Sequence, residues 1–190
     1  MIVHIRDLIK TDILAGAING KTVFATCVSL TADDPVEPTA LFLDFTDIEV
    51  ATASALRESV IALKAYKRSI ASNLYPVLAN VNDSIQDEIH VLMDARNDAI
   101  IACNRADDGR VSQVRLIGDL DPKQAMTFEL VSRLNGADAG GLMKQFGKKE
   151  KTTSTTAWNN RLSSLVQRGL LREFTNGRSK FYRPLLEEAS

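Results

Sequence analysis

Ala40-Leu41-Phe42-Leu43-Asp44-Phe45 is followed by Thr46-Asp47-Ile48 and then by Thr52-Ala53-Ser54-Ala55-Leu56. The first six residues form a continuous apolar run of the length and composition of a strand buried on both faces of a sheet. Beyond them Leu56, Val60, Leu63 and Ile70 return on one side of a helix, which is expected over residues 52–72. A buried strand running into an amphipathic helix predicts an α/β layer with a mostly parallel sheet.

Working outward, residues 2–5 and 22–30 read as strands. Between them, residues 11–19 place Ile13, Leu14, Ala17 and Ile18 at helical spacing before Gly20 stops the helix. Residues 31–39, acidic and with two prolines, read as a loop. Residues 75–81 predict the next strand. Asp83-Ser84-Ile85-Gln86 then has the form of a capping box, with Asp83 as N-cap, and opens a helix to about Asp94. Residues 99–103 form a short buried strand pattern, and residues 110–117 alternate as an edge strand.

Near residue 120 two signals change together. Asp121-Pro122 with Gln124 starts a helix, and from there the pattern is helix, helix, helix, hairpin. The charge changes sign at the same place. Residues 1–120 hold 11 basic and 17 acidic side chains, a net of −6, and residues 121–190 hold 12 and 7, a net of +5. The whole-chain value of −1 therefore conceals an acidic domain, 1–120, and a basic one, 121–190. The acidic domain is expected to point away from a nucleic-acid partner.

In the basic domain, helices are predicted over residues 122–134, 138–146 and 154–168, with Lys148-Lys149-Glu150-Lys151 as a basic turn before the third. That helix begins near Thr153 or Ser154 and ends at Gly169. Trp158, Leu162, Leu165 and Val166 form one apolar stripe, and Thr153, Thr156, Asn160, Ser163 and Gln167 fall on the opposite face. Amide and hydroxyl side chains of this kind read base edges in the major groove, and a helix N-terminus favours a phosphate. Asn176-Gly177 between residues 170–175 and 178–185 predicts a hairpin pairing Thr175 with Arg178, Glu173 with Lys180 and Leu171 with Tyr182. Residues 144–183 carry 10 basic and 2 acidic side chains, a footprint suited to phosphates.

The run Ser154-Thr155-Thr156-Ala157-Trp158, Leu162, Leu165, Gly169-Leu170-Leu171 and Asn176-Gly177 to Phe181-Tyr182 resembles the winged helix-turn-helix of MarR/ArsR-type bacterial transcriptional regulators. The resemblance covers about residues 121–185. It implies a DNA reader in which helix 154–168 enters the major groove and the wing, 170–185, meets phosphates. The DNA-binding residues expected are Lys148, Lys149, Lys151, Thr153, Ser154, Thr156, Asn159, Asn160, Ser163, Arg178 and Lys180. One such module covers about 600–1,000 Å² of its surface, so a homodimer on two half-sites of double-stranded DNA is expected. Winged helices also dock on proteins, and a partner-switching interaction module is the alternative.

Ala40 to Ile48 followed by Thr52 to Leu56 resembles the strand-to-helix signature of STAS-like domains, a family that includes anti-sigma-factor antagonists. It implies a small α/β sensing or dimerising domain that binds a small ligand or a protein partner. Aligned through Asp44 and Leu56, the position of the antagonists' phosphorylated serine is Ala53, with Ser54 beside it as a capping or first-turn residue.

Other chemistry is disfavoured. Gly16-Ala17-Ile18-Asn19-Gly20-Lys21-Thr22 has one residue too few between its glycines for a phosphate loop and lies in the wrong structural context. Asp44, Asp47 and Glu49 lack the surroundings of an oxygen-ligand loop. Cys27, Cys103, His4 and His90 are not spaced as zinc-ligand pairs. No catalytic constellation and no cofactor are expected. With two cysteines, early charge at Arg6 and Asp7, and no apolar run of spanning length, a cytoplasmic protein without a membrane partner is expected.

Overall fold

The structure, a computed structural model, describes residues 1–177 and 179–187. The described chain divides into two compact units, Met1–Asp119 and Leu120–Glu187. The first is α/β with a five-stranded sheet in the order β1-β3-β5-β6-β7. Strands β1 (Ile2–His4), β3 (Thr39–Asp44), β5 (Leu74–Ala79) and β6 (Ile100–Arg105) run parallel, and β7 (Val111–Ile117) closes the edge antiparallel to β6.

Every residue of β5 is buried, as its central place requires. In β3, Leu41 and Leu43 are fully buried and Ala40 and Phe42 half-buried, so its two faces are unequally covered. Val3, Leu41, Leu43, Leu78, Ile100 and Ile117 share one core cluster with the helices α2 to α5 described below.

The first crossover departs from the sequence expectation. Residues 22–30 are helical, not a strand, and Gly20 lies inside helix α2 (Ala17–Leu30) without ending it. Gly20, Val23 and Cys27 form its buried stripe, and this tertiary contact overrides the β-branched composition. Thr22 and Thr26 return their hydroxyls to the carbonyls of Ile18 and Thr22 at 3.2 and 2.9 Å, within the helix. Of the helix expected over residues 11–19 only Ala17–Asn19 are helical, as the start of α2; Ile13–Leu14 form β2, which pairs with β4 (Val50–Ala51), and Ile5–Ile9 forms the short helix α1.

After β4 a continuous helix runs from α3 (Ala53–Leu56) through a π turn (Arg57–Ile61) into α4 (Ala62–Ser69). Thr52 caps it, its hydroxyl accepting from Ala55 N at 3.4 Å, and Ser54 stands in the first turn. Helix α5 (Asp83–Asp94) is capped by Asn82, one residue before the expected Asp83. Asn82 is favoured because its amide works on both sides: Oδ1 accepts from Ile85 N at 2.9 Å, while Nδ2 donates to Ile48 O and Glu49 O.

In the second unit, α6 (Pro122–Arg133) starts as expected, with Asp121 accepting from Lys123 N and Gln124 N. Gln124 does not complete a capping box. Its amide instead donates to Ser164 Oγ at 2.9 Å, tying α6 to α8 (Thr155–Gln167). Helix α7 (Ala139–Phe146) is capped by Asp138. Strands β8 (Leu171–Asn176) and β9 (Ser179–Pro184) form an antiparallel hairpin. Trp158, Leu162, Leu165, Leu170, Leu171 and Tyr182 are all fully buried in this unit's core.

The hairpin register is shifted by two residues from the expected one. Asn176 pairs with Ser179, Thr175 with Lys180, Glu173 with Tyr182 and Leu171 with Pro184. Thr175 is thus taken by Lys180, Gly177 has a φ of 61°, and Arg178 of the expected pair lies outside the described residues. Leu171–Tyr182 and Glu173–Lys180 become diagonal neighbours. A shift of two leaves every side chain on its original face, so the polar and apolar pattern does not oppose it. Tyr182 is held from outside the hairpin, exchanging backbone hydrogen bonds with Ala137 at 2.9 Å in both directions.

Candidate nucleic-acid interface

Helix α8 is built from its apolar stripe. Trp158, Leu162 and Leu165 are buried, which turns Thr155, Thr156, Asn159 and Asn160 outward as exposed residues at the N-terminal end. Ser154 is the N-cap, its Oγ accepting from Ala157 N at 3.4 Å. Thr153 is exposed just before it.

The turn before α8 is fastened from beneath. The Trp158 indole N–H donates to Thr152 O at 2.8 Å. Arg161 donates to Thr152 Oγ1 at 3.0 Å and stacks over the Trp158 ring at 5.1 Å. Arg161 thus braces the turn, although it counts toward the positive footprint. Lys148, Lys149 and Lys151 are exposed on this turn and form no ion pair among the described residues.

A groove of about 820 Å³ separates the start of α7, the first turns of α8 and the hairpin. Thr155, Thr156 and Asn159 line one wall, and Ser179, Lys180 and Phe181 another. Asp138 also borders it, with its carboxylate engaged by Gly141 N at 2.9 Å. Thr156, Asn159 and Lys180 are therefore brought together. Lys148, Lys149 and Lys151 sit on the turn that leads into α8.

Ser163 and Asn159 occupy the side of α8 that faces β9. Tyr182 donates its hydroxyl to Asn159 Oδ1 at 3.1 Å. Burial pushes this phenol's pKa up. Ser163 is half-buried there, whereas Asn160 is exposed. Arg178 lies outside the described residues.

The hairpin's cations are partly engaged. Lys180 Nζ lies 2.9 Å from Glu173 Oε1, and that hydrogen bond and charge raise its pKa. Arg183 stacks over Phe174 and Phe181 at 5.6 and 5.8 Å. Thr155, Ser179 and Phe181 were not legible as groove residues in the sequence. Thr155 lies only about 60° around the helix from Trp158 at ~100° per residue, and the other two depend on the hairpin register.

In the first unit, polar residues gather at the carboxyl ends of the parallel strands. Asp44 Oδ2 lies 2.9 Å from His4 Nδ1, and Oδ1 accepts from Thr46 N, Thr46 Oγ1 and Asn80 Nδ2. Asn80 in turn accepts from Arg105 N at 2.8 Å. These bonds occupy both oxygens of Asp44 and join the ends of β1, β3, β5 and β6. Among the described residues, no three His, Cys, Asp or Glu side chains converge as a metal-binding group. Cys27 and Cys103 are buried, and desolvation raises each thiol to a pKa of about 11. No helix among the described residues is long and apolar enough to cross a membrane.

No protein-family model matches the chain, and no curated protein matches it in sequence.

Proposed function

We propose that the chain is a DNA-binding transcriptional regulator whose second unit works as a winged helix. The observation that carries this reading is the surface of α8: Thr155, Thr156, Asn159 and Asn160 stand exposed over a buried Trp158 stripe, next to the lysines of residues 148–151. Helix α8 supplies base-edge contacts in the major groove, and the lysine turn and hairpin supply phosphate contacts. Two copies on one duplex, with half-sites about one helical turn apart, give the affinity that a single small module lacks. The first unit, on the STAS-like reading, senses a small ligand or protein, or holds the dimer together, in the cytoplasm.

The test is titration of a labelled duplex at several salt concentrations. Binding is expected to weaken steeply as salt rises, because counterions are released from neutralised phosphates. Absence of binding at low salt, or binding indifferent to salt, would remove the proposal.

A second reading, a partner-switching protein whose winged helix docks on another protein, is favoured by the hairpin chemistry. Lys180 is already paired with Glu173, and Arg183 lies over two phenylalanine rings. Exchanging Arg178 and Lys180 for glutamate separates the readings. A DNA reader loses affinity for the duplex, whereas a protein-docking module keeps its complex.

A further inference from the structure

We propose that the Tyr182 hydroxyl positions the Asn159 amide as a hydrogen-bond donor toward the groove, so that the helix prefers guanine to adenine at one base pair of each half-site. The inference rests on the DNA-binding reading above and adds which base edge α8 selects.

Tyr182 is fully buried and has little freedom to move. Its backbone is paired with Ala137 on both sides, at 2.9 Å each. The hydroxyl at the end of this fixed ring donates to Asn159 Oδ1 at 3.1 Å. The Glu173 carboxylate, a second acceptor near this phenol, is engaged by Lys180 at 2.9 Å. A phenol has a single proton, and with the Glu173 carboxylate held by Lys180 that proton goes to Asn159. This bond points the amide carbonyl toward the hairpin.

What remains for a ligand is the amino group. Asn159 is exposed and lines the groove with Thr155, Thr156 and Lys180. An asparagine free to turn recognises adenine by donating to N7 while accepting from the N6 amino group. With Oδ1 turned to a buried phenol, one of its two lone pairs is taken and the adenine amino group meets a weaker acceptor. Guanine presents two acceptors, N7 and O6, along the same edge, and suits a side chain that only donates. Tyr182 is a positioning residue in this scheme, and Asn159 makes the contact.

The experiment is selection of duplexes from a random pool by the full chain, by Asn159→Ala and by Tyr182→Phe, with each preference confirmed by titration. Wild type is expected to favour guanine over adenine at one position by about tenfold, the scale of one good base contact. Asn159→Ala, a change at an exposed site, should lose that preference at that position alone. Tyr182→Phe keeps the ring and should bring the two bases to within about twofold, with the salt dependence of binding unchanged. A Tyr182→Phe protein that keeps the wild-type preference, or that weakens on all sequences alike, overturns the positioning role. An Asn159→Ala protein with an unaltered preference overturns the contact. If wild type enriches no sequence at all, the DNA-binding reading itself fails, a result distinct from either.

Discussion

Gly20 of α2 lies so close to Ala55 of α3 that a β-carbon on the glycine would stand 2.5 Å from the Ala55 carbonyl oxygen. Two helices of the first unit meet here backbone to backbone, and the obstruction is main chain that cannot rotate away. Gly20→Ala would favour the helix by propensity but overpack this contact. The expected net effect is a loss of about 1–3 kcal/mol. A urea denaturation midpoint equal to that of wild type would show that α2 has room to withdraw.

Trp158 combines a buried ring with an indole N–H bonded to Thr152 O at 2.8 Å. Trp158→Phe leaves a smaller ring and an unpaired buried carbonyl, so a loss of about 1–3 kcal/mol is expected. Thermal unfolding followed by far-UV circular dichroism checks it. Trp158 is the one tryptophan in the chain, so its fluorescence reports the unfolding of the unit Leu120–Glu187.

Lys148, Lys149 and Lys151 are the exposed lysines of the turn before α8. Replacing all three by alanine is expected to weaken binding to unrelated duplexes about equally. It should also flatten the dependence of log K on log salt by about 2–3, close to one for each phosphate left without its lysine. Fluorescence anisotropy over a salt series measures it. An unchanged slope would place the phosphate-binding cations elsewhere.

Asp34 links the loop before β3 to the residues that precede β5. Burial pushes its carboxyl upward, but hydrogen bonds from the Ser72 hydroxyl and Asn73 N–H, with the charges of Lys67 and Arg68, reverse this and hold it below its ordinary 3.8. A carboxyl depressed in the folded state adds stability above its unfolded pKa, and that stability is lost as pH falls through the folded value. Stability should therefore decline below about pH 4, and Asp34→Asn should make that decline shallower. Denaturation midpoints over a series from pH 3 to pH 6 would show it, and parallel acid limbs for the two proteins would count against it.

Cys27 and Cys103 are both buried, with thiols raised to about 11. Neither should react with a thiol reagent at neutral pH while the protein is folded, since the thiolate is the nucleophile. Both should react after denaturation. Rapid native labelling of either would show that its region opens readily.

Local pattern was sufficient wherever one reading dominated. The apolar run through Leu41 and Leu43, the all-buried strand Leu74–Ala79, the Asp121-Pro122 helix start and the Trp158, Leu162, Leu165 stripe each carry a single period that burial reinforces. These residues imply the α/β sheet and the outward face of α8, and the count of charges divides the chain into an acidic part and a basic one. Contacts distant in sequence decided the rest. Residues 22–30 have the composition of a strand, and they are helical because Gly20, Val23 and Cys27 pack into the core. Asn176-Gly177 locates the hairpin, but two registers preserve its faces, and in the observed one Tyr182 is joined to Ala137, 45 positions earlier in the chain. The direction of the Asn159 amide depends on a phenol 23 residues away. A side chain's type sets what it can donate or accept, whereas its orientation is set by a partner that only folding brings within reach.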